Sequence, residues 1–230
     1  MDDLFAAPPA TVAATLARAD VQSLIGPAPR HLIDCDLEAA DLSGLDLGRW
    51  RFECCNLRRS SLSGARLEGT IWQGCRAPFA DFSGADLAEA VFTGGDYNNC
   101  SMRRAALTSA RLTGCKFTGA DFTEARAMHI QFEEVLLISA KLPAFDFRKE
   151  SLRRVDFSGA DLRKSDFRMT LFEQCSLRDA MVAGSRFEGA DLRGVDLGGL
   201  RLIDAGLFRG ATISREQAGQ LLGELGLNVR

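Results

Sequence analysis

From residue 30 to residue 209, large apolar side chains return at every fifth position. They stand at Leu32, Leu37, Leu42, Leu47 and Phe52, and continue without a slip of register to Leu202 and Leu207. Of these 36 centres only Ala77 and Ala127 are small. Two residues before most centres sits a small residue, as at Ala40, Cys55, Ala80, Ala85, Ala120 and Ala160. In an extended chain that residue and the centre share a face, and the residue between them, most often Asp (13 of the 36 units), points outward. The next small residue comes three positions after the centre, where alternation would turn it outside. The chain must therefore bend once per five residues. Gly suits such a bend because positive φ is inexpensive for it, and 13 of the 22 glycines lie two positions after a centre. Repetition at a fixed short period predicts a coil.

The cysteines indicate how many units close one coil. Cys35, Cys55, Cys75, Cys115 and Cys175 are separated by multiples of 20 residues, and Gly95, Val135, Val155 and Val195 fill the gaps in that column. Four five-residue units per turn explain this clustering. The prediction is an all-β solenoid of about nine 20-residue coils, a four-sided rod roughly 40 Å long at ~4.8 Å per stacked strand.

The repeated A(D/N)LXX pattern, as in Ala80-Asp-Phe-Ser-Gly-Ala-Asp-Leu87, resembles the pentapeptide-repeat family across residues 30–209. The resemblance implies a right-handed quadrilateral β-helix. Three departures stand out. Ala77 is followed by Pro78-Phe79, with Tyr97 one coil on to fill the space. Ala127 is followed by Met128-His129, with Phe147 one coil on. Glu150 occupies an inward small position after Pro143-Ala-Phe-Asp-Phe-Arg-Lys149, where an unpaired charge is costly, so a local bulge is expected over 143–150.

Different chemistry flanks the repeats. Residues 1–29 form an N-terminal helical cap: Pro8 and Pro9 precede helix-forming residues, so a helix is predicted from about Pro9 to Leu24, ended by Gly26-Pro27-Ala28-Pro29. Such a lid covers the open edge of the first coil. Residues 210–230 form a C-terminal cap, where Ser214-Arg-Glu-Gln217 is a capping-box sequence and Gly223 or Gly226 can close the helix. Leu221, Leu222, Leu225, Leu227 and Val229 are too many apolar residues for a free tail. This C-terminal run is similar to that of quinolone-resistance (Qnr-like) members of the family, which implies a homodimer through it.

Composition removes several function classes. The net charge of −3 does not call for nucleic acid or an anionic membrane as direct partner. No apolar run approaches the ~20 residues of a membrane span. The acidic start and Pro8-Pro9 do not read as a secretory signal, so a cytoplasmic protein with reduced thiols is expected. No Cys spacing suits a metal site, and the cysteines read as small buried residues, except for an exposed Cys54. His31 and His129 lie about five coils apart, and a tube filled with Leu and Phe offers no concave catalytic site. No cofactor, metal or catalytic residue is expected. Of the 19 Asp, 13 precede a centre, where they solvate the wall and bond to turn backbone.

Function must then lie on the outer walls. Qnr-like relatives imply DNA mimicry toward DNA gyrase or a related type II topoisomerase, and with it protection from quinolones or toxins. A mimic needs a negative face, yet the four walls carry net charges of only −1, −1, 0 and +1. A short acidic patch remains at Asp36, Glu38, Asp41 and Asp46. An apolar strip is the other candidate surface, with Ile71, Val91 and Leu171 outward on one wall and Phe79, Leu136 and Ile138 on the next. The irregular 143–150 run adds Arg148 and Lys149. The resulting expectation is a non-enzymatic rod that docks on a protein, most specifically gyrase; the alternative is a general scaffold or regulator with another protein partner.

Overall fold

A computed structural model describes residues 9–199, 206–224 and 226–228. Nine short parallel strands stack in sequence order on one wall: β1 Ala10–Val12, β2 His31–Ile33, β3 Arg51–Glu53, β4 Ile71–Gln73, β5 Val91–Thr93, β6 Arg111–Thr113, β7 Gln131–Glu133, β8 Ser151–Arg153 and β9 Leu171–Glu173. From β2 onward each strand pairs with the one exactly 20 residues later in register, as His31 with Arg51 and Ile71 with Val91. The remaining three walls stack through isolated bridges at the same spacing, such as Asp36 with Asn56, Asp41 with Ser61 and Asp46 with Arg66. Four units close each coil. Eight full coils occupy 31–190, and a ninth begins at Asp191, which bridges Leu171. Below, walls 1 to 4 are those whose first centres are Leu32, Leu37, Leu42 and Leu47. The predicted centre Leu202 lies outside the described residues, and Leu207 sits in a single 3₁₀ turn beyond the regular walls.

The bend comes two residues after each centre. Every such position from Asp34 to Gly199 has positive φ, whether or not it is Gly. Thirteen are Gly; the others include Ala39, Arg49, Phe79 and Lys149. The stacked coils impose this conformation, and Gly only makes it less costly. Inside, the centres form an apolar core in which aromatic rings stack along the rod axis. Phe52 lies 4.0 Å from Trp72, and Phe147, Phe167, Phe187 and Phe208 follow one another at 4.7, 4.9 and 4.6 Å. Where Ser or Thr takes a small inward position, its hydroxyl donates to a nearby carbonyl, as from Ser60 to Leu57 and from Ser165 to Leu142. A hydroxyl satisfied in this way can replace Ala in the core. Tyr97 is fully buried one coil on from Ala77 in the same wall 2 column and stacks on Phe117 at 4.9 Å. A Cβ at Gly95 would run into its ring, which explains the glycine in the cysteine column.

Two expectations need correction. The N-terminal segment is not one helix from Pro9 to Leu24. Its first part is strand: β1 pairs with β2, and Thr15 bridges Asp36, so residues 10–16 already supply two walls of an incomplete coil. Only then does helix α1, Arg18–Leu24, replace the other two walls. The pull of an open parallel edge outweighs the helix propensity of this Ala-rich stretch. Leu16 and Val21 of this segment are buried. In the first coil, Leu45 and the large Trp50 fill inward positions that are small in most other units.

No extra residue is inserted over 143–150, so there is no bulge. The turns keep their five-residue spacing, but the wall opens instead. Phe145 occupies a small inward position and is buried against Phe122, Phe132 and Phe147. The coil before it offers only the small Ala125 and Ala127 at the facing inward positions, both of them partly buried. Residues 124–130 and 143–151 are not hydrogen-bonded to one another on wall 4, whereas walls 2 and 3 between the same coils remain paired through Phe117 to Leu136 and Phe122 to Lys141.

Candidate functional site

The described residues hold no group of His, Cys, Asp or Glu placed to bind a metal ion. Six of the seven cysteines are buried, and Cys54 is exposed. The thiols of Cys55, Cys75 and Cys175 lie 3.3–3.4 Å from carbonyl oxygens of the preceding coil, so the column donates into the backbone. Burial pushes the thiols of Cys100, Cys115 and Cys175 up, which keeps them protonated. His31 meets Glu53 at 3.0 Å, and His129 Nδ1 lies 3.9 Å from Glu150 on a separate part of the rod. Neither histidine has a Ser or Cys hydrogen-bond partner among the described residues. No described helix is long and apolar enough to cross a membrane.

Asp side chains before a centre accept the backbone N–H two residues on, as Asp36 from Glu38, Asp41 from Ser43 and Asp81 from Ser83. These bonds fix the turn that follows. The four acids of the N-terminal patch ring the first coil over three consecutive walls: Asp36 and Glu38 on wall 2, Asp41 on wall 3 and Asp46 on wall 4. Their charges are partly matched by Arg18 at 3.4 Å from Asp41, Arg58 at 4.0 Å from Glu38 and Arg66 at 3.1 Å from Asp46. Arg18 comes from the N-terminal segment, a contact the repeat pattern could not reveal. Asn56 adds an amide that donates to both Asp36 and Glu38.

Phe79 is the most conspicuous outward residue. It is 54% exposed and has φ of 61°, a conformation that a bulky side chain seldom adopts. It stands on wall 2, where Leu136 and Ile138 are half-buried three coils further along, roughly 14 Å away at ~4.8 Å per coil. Ile71 and Leu171 are exposed on wall 1, with Val91 half-buried between them. The structure does not bring either set into one continuous patch. Arg148 is held by Asp146 at 2.6 Å and approaches Asp166 at 3.7 Å, while Lys149 is exposed with no ion-pair partner among the described residues.

At the other end, helix α2 runs from Arg215 to Glu224. Ser214 and Gln217 form the expected capping box, with Ser214 N–H donating to Gln217 Oε1 at 2.7 Å and Gln217 N–H to Ser214 Oγ at 3.1 Å. Gln217 is also buried, and its Nε2 donates to the carbonyls of Leu192 and Val195 at 2.7 and 2.8 Å. One side chain thus starts the helix and seals the last coil. Its second role has no signature in the sequence. Of the candidate dimer residues, Leu221 packs partly buried on the core, Leu222 and Leu227 are 38% and 54% exposed, and Leu225 and Val229 lie outside the described residues.

The model for pentapeptide repeats matches this chain in eight copies, at residues 31–69, 55–94, 85–124, 130–168 and 170–205. No curated protein matches the sequence. Among solved structures, full-length QnrB1, a plasmid-mediated fluoroquinolone resistance protein, is 19% identical, with a TM-score of 0.53 over 96% of this chain and 98% of that one. A trypsin-treated QnrB1 variant gives 19% identity and a TM-score of 0.54 over 97% and 100%. HetL, involved in heterocyst differentiation regulation in the cyanobacterium Nostoc, is 21% identical over 81% of this chain and 86% of that one, with a TM-score of 0.45. At these identities the likeness concerns the fold.

Proposed function

This chain belongs to the pentapeptide-repeat family, and from that premise we propose that it is a non-enzymatic interaction rod whose protein partner is DNA gyrase or a related type II topoisomerase. The observation that carries the reading is architectural. The fold is similar to that of QnrB1 over 96% of this chain and 98% of that one. The filled core supports a role played by the outside of the rod, since its side chains leave no room for a substrate. DNA mimicry places Asp36, Glu38, Asp41 and Asp46 against basic topoisomerase surface, with Phe79 as an apolar anchor on the wall that also carries Asp36 and Glu38. An exposed aromatic side chain is suited to such a contact, because it offers a large apolar surface to a partner. Leu222 and Leu227 then supply the homodimer contact beyond α2, with Leu225 and Val229 in the same segment.

The test is binding of the purified protein to immobilised gyrase by interferometry, with Phe79→Gly and Asp41→Lys/Asp46→Lys variants alongside. Micromolar or tighter binding that weakens about tenfold in either variant supports the reading. Absence of binding to gyrase and to topoisomerase IV overturns it in favour of a scaffold with another partner.

A further inference from the structure

The opening on wall 4 leaves backbone groups that every neighbouring coil uses. In the coil pair before it, Leu107 donates to Arg126, Ser109 to Met128 and Gln131 to Ala110; in the pair after it, Phe147 donates to Asp166, Lys149 to Arg168 and Leu171 to Glu150. Across the opening, the amides of Ala127, His129, Asp146 and Ser151 have no acceptor among the described residues, and the carbonyls of Ala125, Ile130, Asp146 and Arg148 have no donor. The lips belong to a rigid solenoid, so these groups are held in strand-like rows rather than released into a loop. Unpaired rows of this kind are a template for another chain.

The space between them is a cleft of about 310 Å³ lined by Met128, His129, Asp146, Arg148, Lys149 and Glu150. Ala125 and Ala127 are partly buried below it, and Met128 is 66% exposed at its edge. The two lips carry three cations, Arg126, Arg148 and Lys149, and three acids, Glu124, Asp146 and Glu150. The acids are engaged, Glu124 with Arg104 at 3.0 Å, Asp146 with Arg148 at 2.6 Å and Glu150 with His129 at 3.9 Å, whereas Arg126 beside the cleft and Lys149 in its lining have no ion-pair partner among the described residues. Glu150 is only half-exposed, and its burial pushes its carboxyl up toward the neutral form.

We propose that this cleft binds an extended acidic peptide segment of a protein partner, which lays its backbone along the open lips and its carboxylates toward Arg126 and Lys149. Backbone pairing supplies affinity in such strand addition, while alternate side chains supply selectivity. A small apolar side chain on the inward-facing positions fits over Ala125 and Ala127. The site is separate from the N-terminal acids and Phe79, so it stands whether or not the topoisomerase reading does.

The experiment uses a fluorescent eight-residue peptide of alternating Glu and Val, its Lys and Val twin, and amide hydrogen exchange of the full chain. The acidic peptide should bind, slow the exchange of Ala127, His129, Asp146 and Ser151, and exceed its twin in affinity by about tenfold. The double variant Ala127→Leu/Phe145→Ala restores the residue types of the regular repeat, which closes the wall, and should lose that binding by a similar factor. Arg126→Glu/Lys149→Glu leaves the core untouched and should reverse the preference toward the Lys peptide. Failure of the acidic peptide to bind, equal binding of both peptides, unchanged binding to the closed variant, or protection elsewhere on the rod would each overturn the proposal.

Discussion

At the scale of single residues, the molecule accepts strain at every bend. Non-Gly residues in the left-handed region cost ~1 kcal/mol each relative to Gly, so Phe79→Gly should stabilise the fold by about that amount. Gly44 has φ of 66° and open space around its Cβ position, so Gly44→Ala should destabilise by a similar amount through backbone conformation alone. Denaturant midpoints check both. Tyr97 offers a second case, because its buried hydroxyl has no partner among the described residues. Tyr97→Phe should therefore stabilise by ~1 kcal/mol in the same measurement. The five-residue period made the bends and centres legible in the sequence. It could not show that non-Gly residues would also take positive φ, because that is imposed by hydrogen bonds between coils 20 residues apart.

At the scale of elements, the ends depart furthest from what the sequence suggests. Ala10-Thr-Val reads as helix in isolation and becomes strand only because β2 offers an edge. Phe145 likewise looks like one more apolar residue until the coil places it where others have Ala. At the far end, Gln217→Ala removes the donor for two carbonyls and should cost about 1–3 kcal/mol. Chemical unfolding of the full chain checks it, and a Gln217→Glu variant should not restore the loss because it cannot donate while ionised. The walls also carry a pH dependence. Hydrogen bonds from Arg163 and Arg193 hold the carboxyls of Asp161 and Asp191 below the usual range. A folded-state pKa lowered in this way stabilises the protein fully above the unfolded value near ~3.9, and the contribution is lost as pH falls through the folded value. Stability should drop below about pH 4, and Asp161→Asn should flatten that drop in denaturation curves taken from pH 6 to pH 2.

On the scale of the whole molecule, a continuous apolar core fills the described coils, so the proposed recognition falls on the walls and ends. The walls are close to neutral, and the salt bridges of Arg18, Arg58 and Arg66 mute the acids of the first coil. A dimer would double the exposed length by joining two rods at α2. Light scattering should then give about twice the 25.0 kDa of one chain, and Leu222→Asp should return a monomer. The measurement closest to the central claim is gyrase supercoiling with and without a quinolone. Micromolar protein should inhibit supercoiling or restore it in the presence of the drug, and Phe79→Gly should lose the effect while remaining folded. Unaltered supercoiling and unaltered drug sensitivity, with gyrase and topoisomerase IV from the cognate source, would contradict that claim.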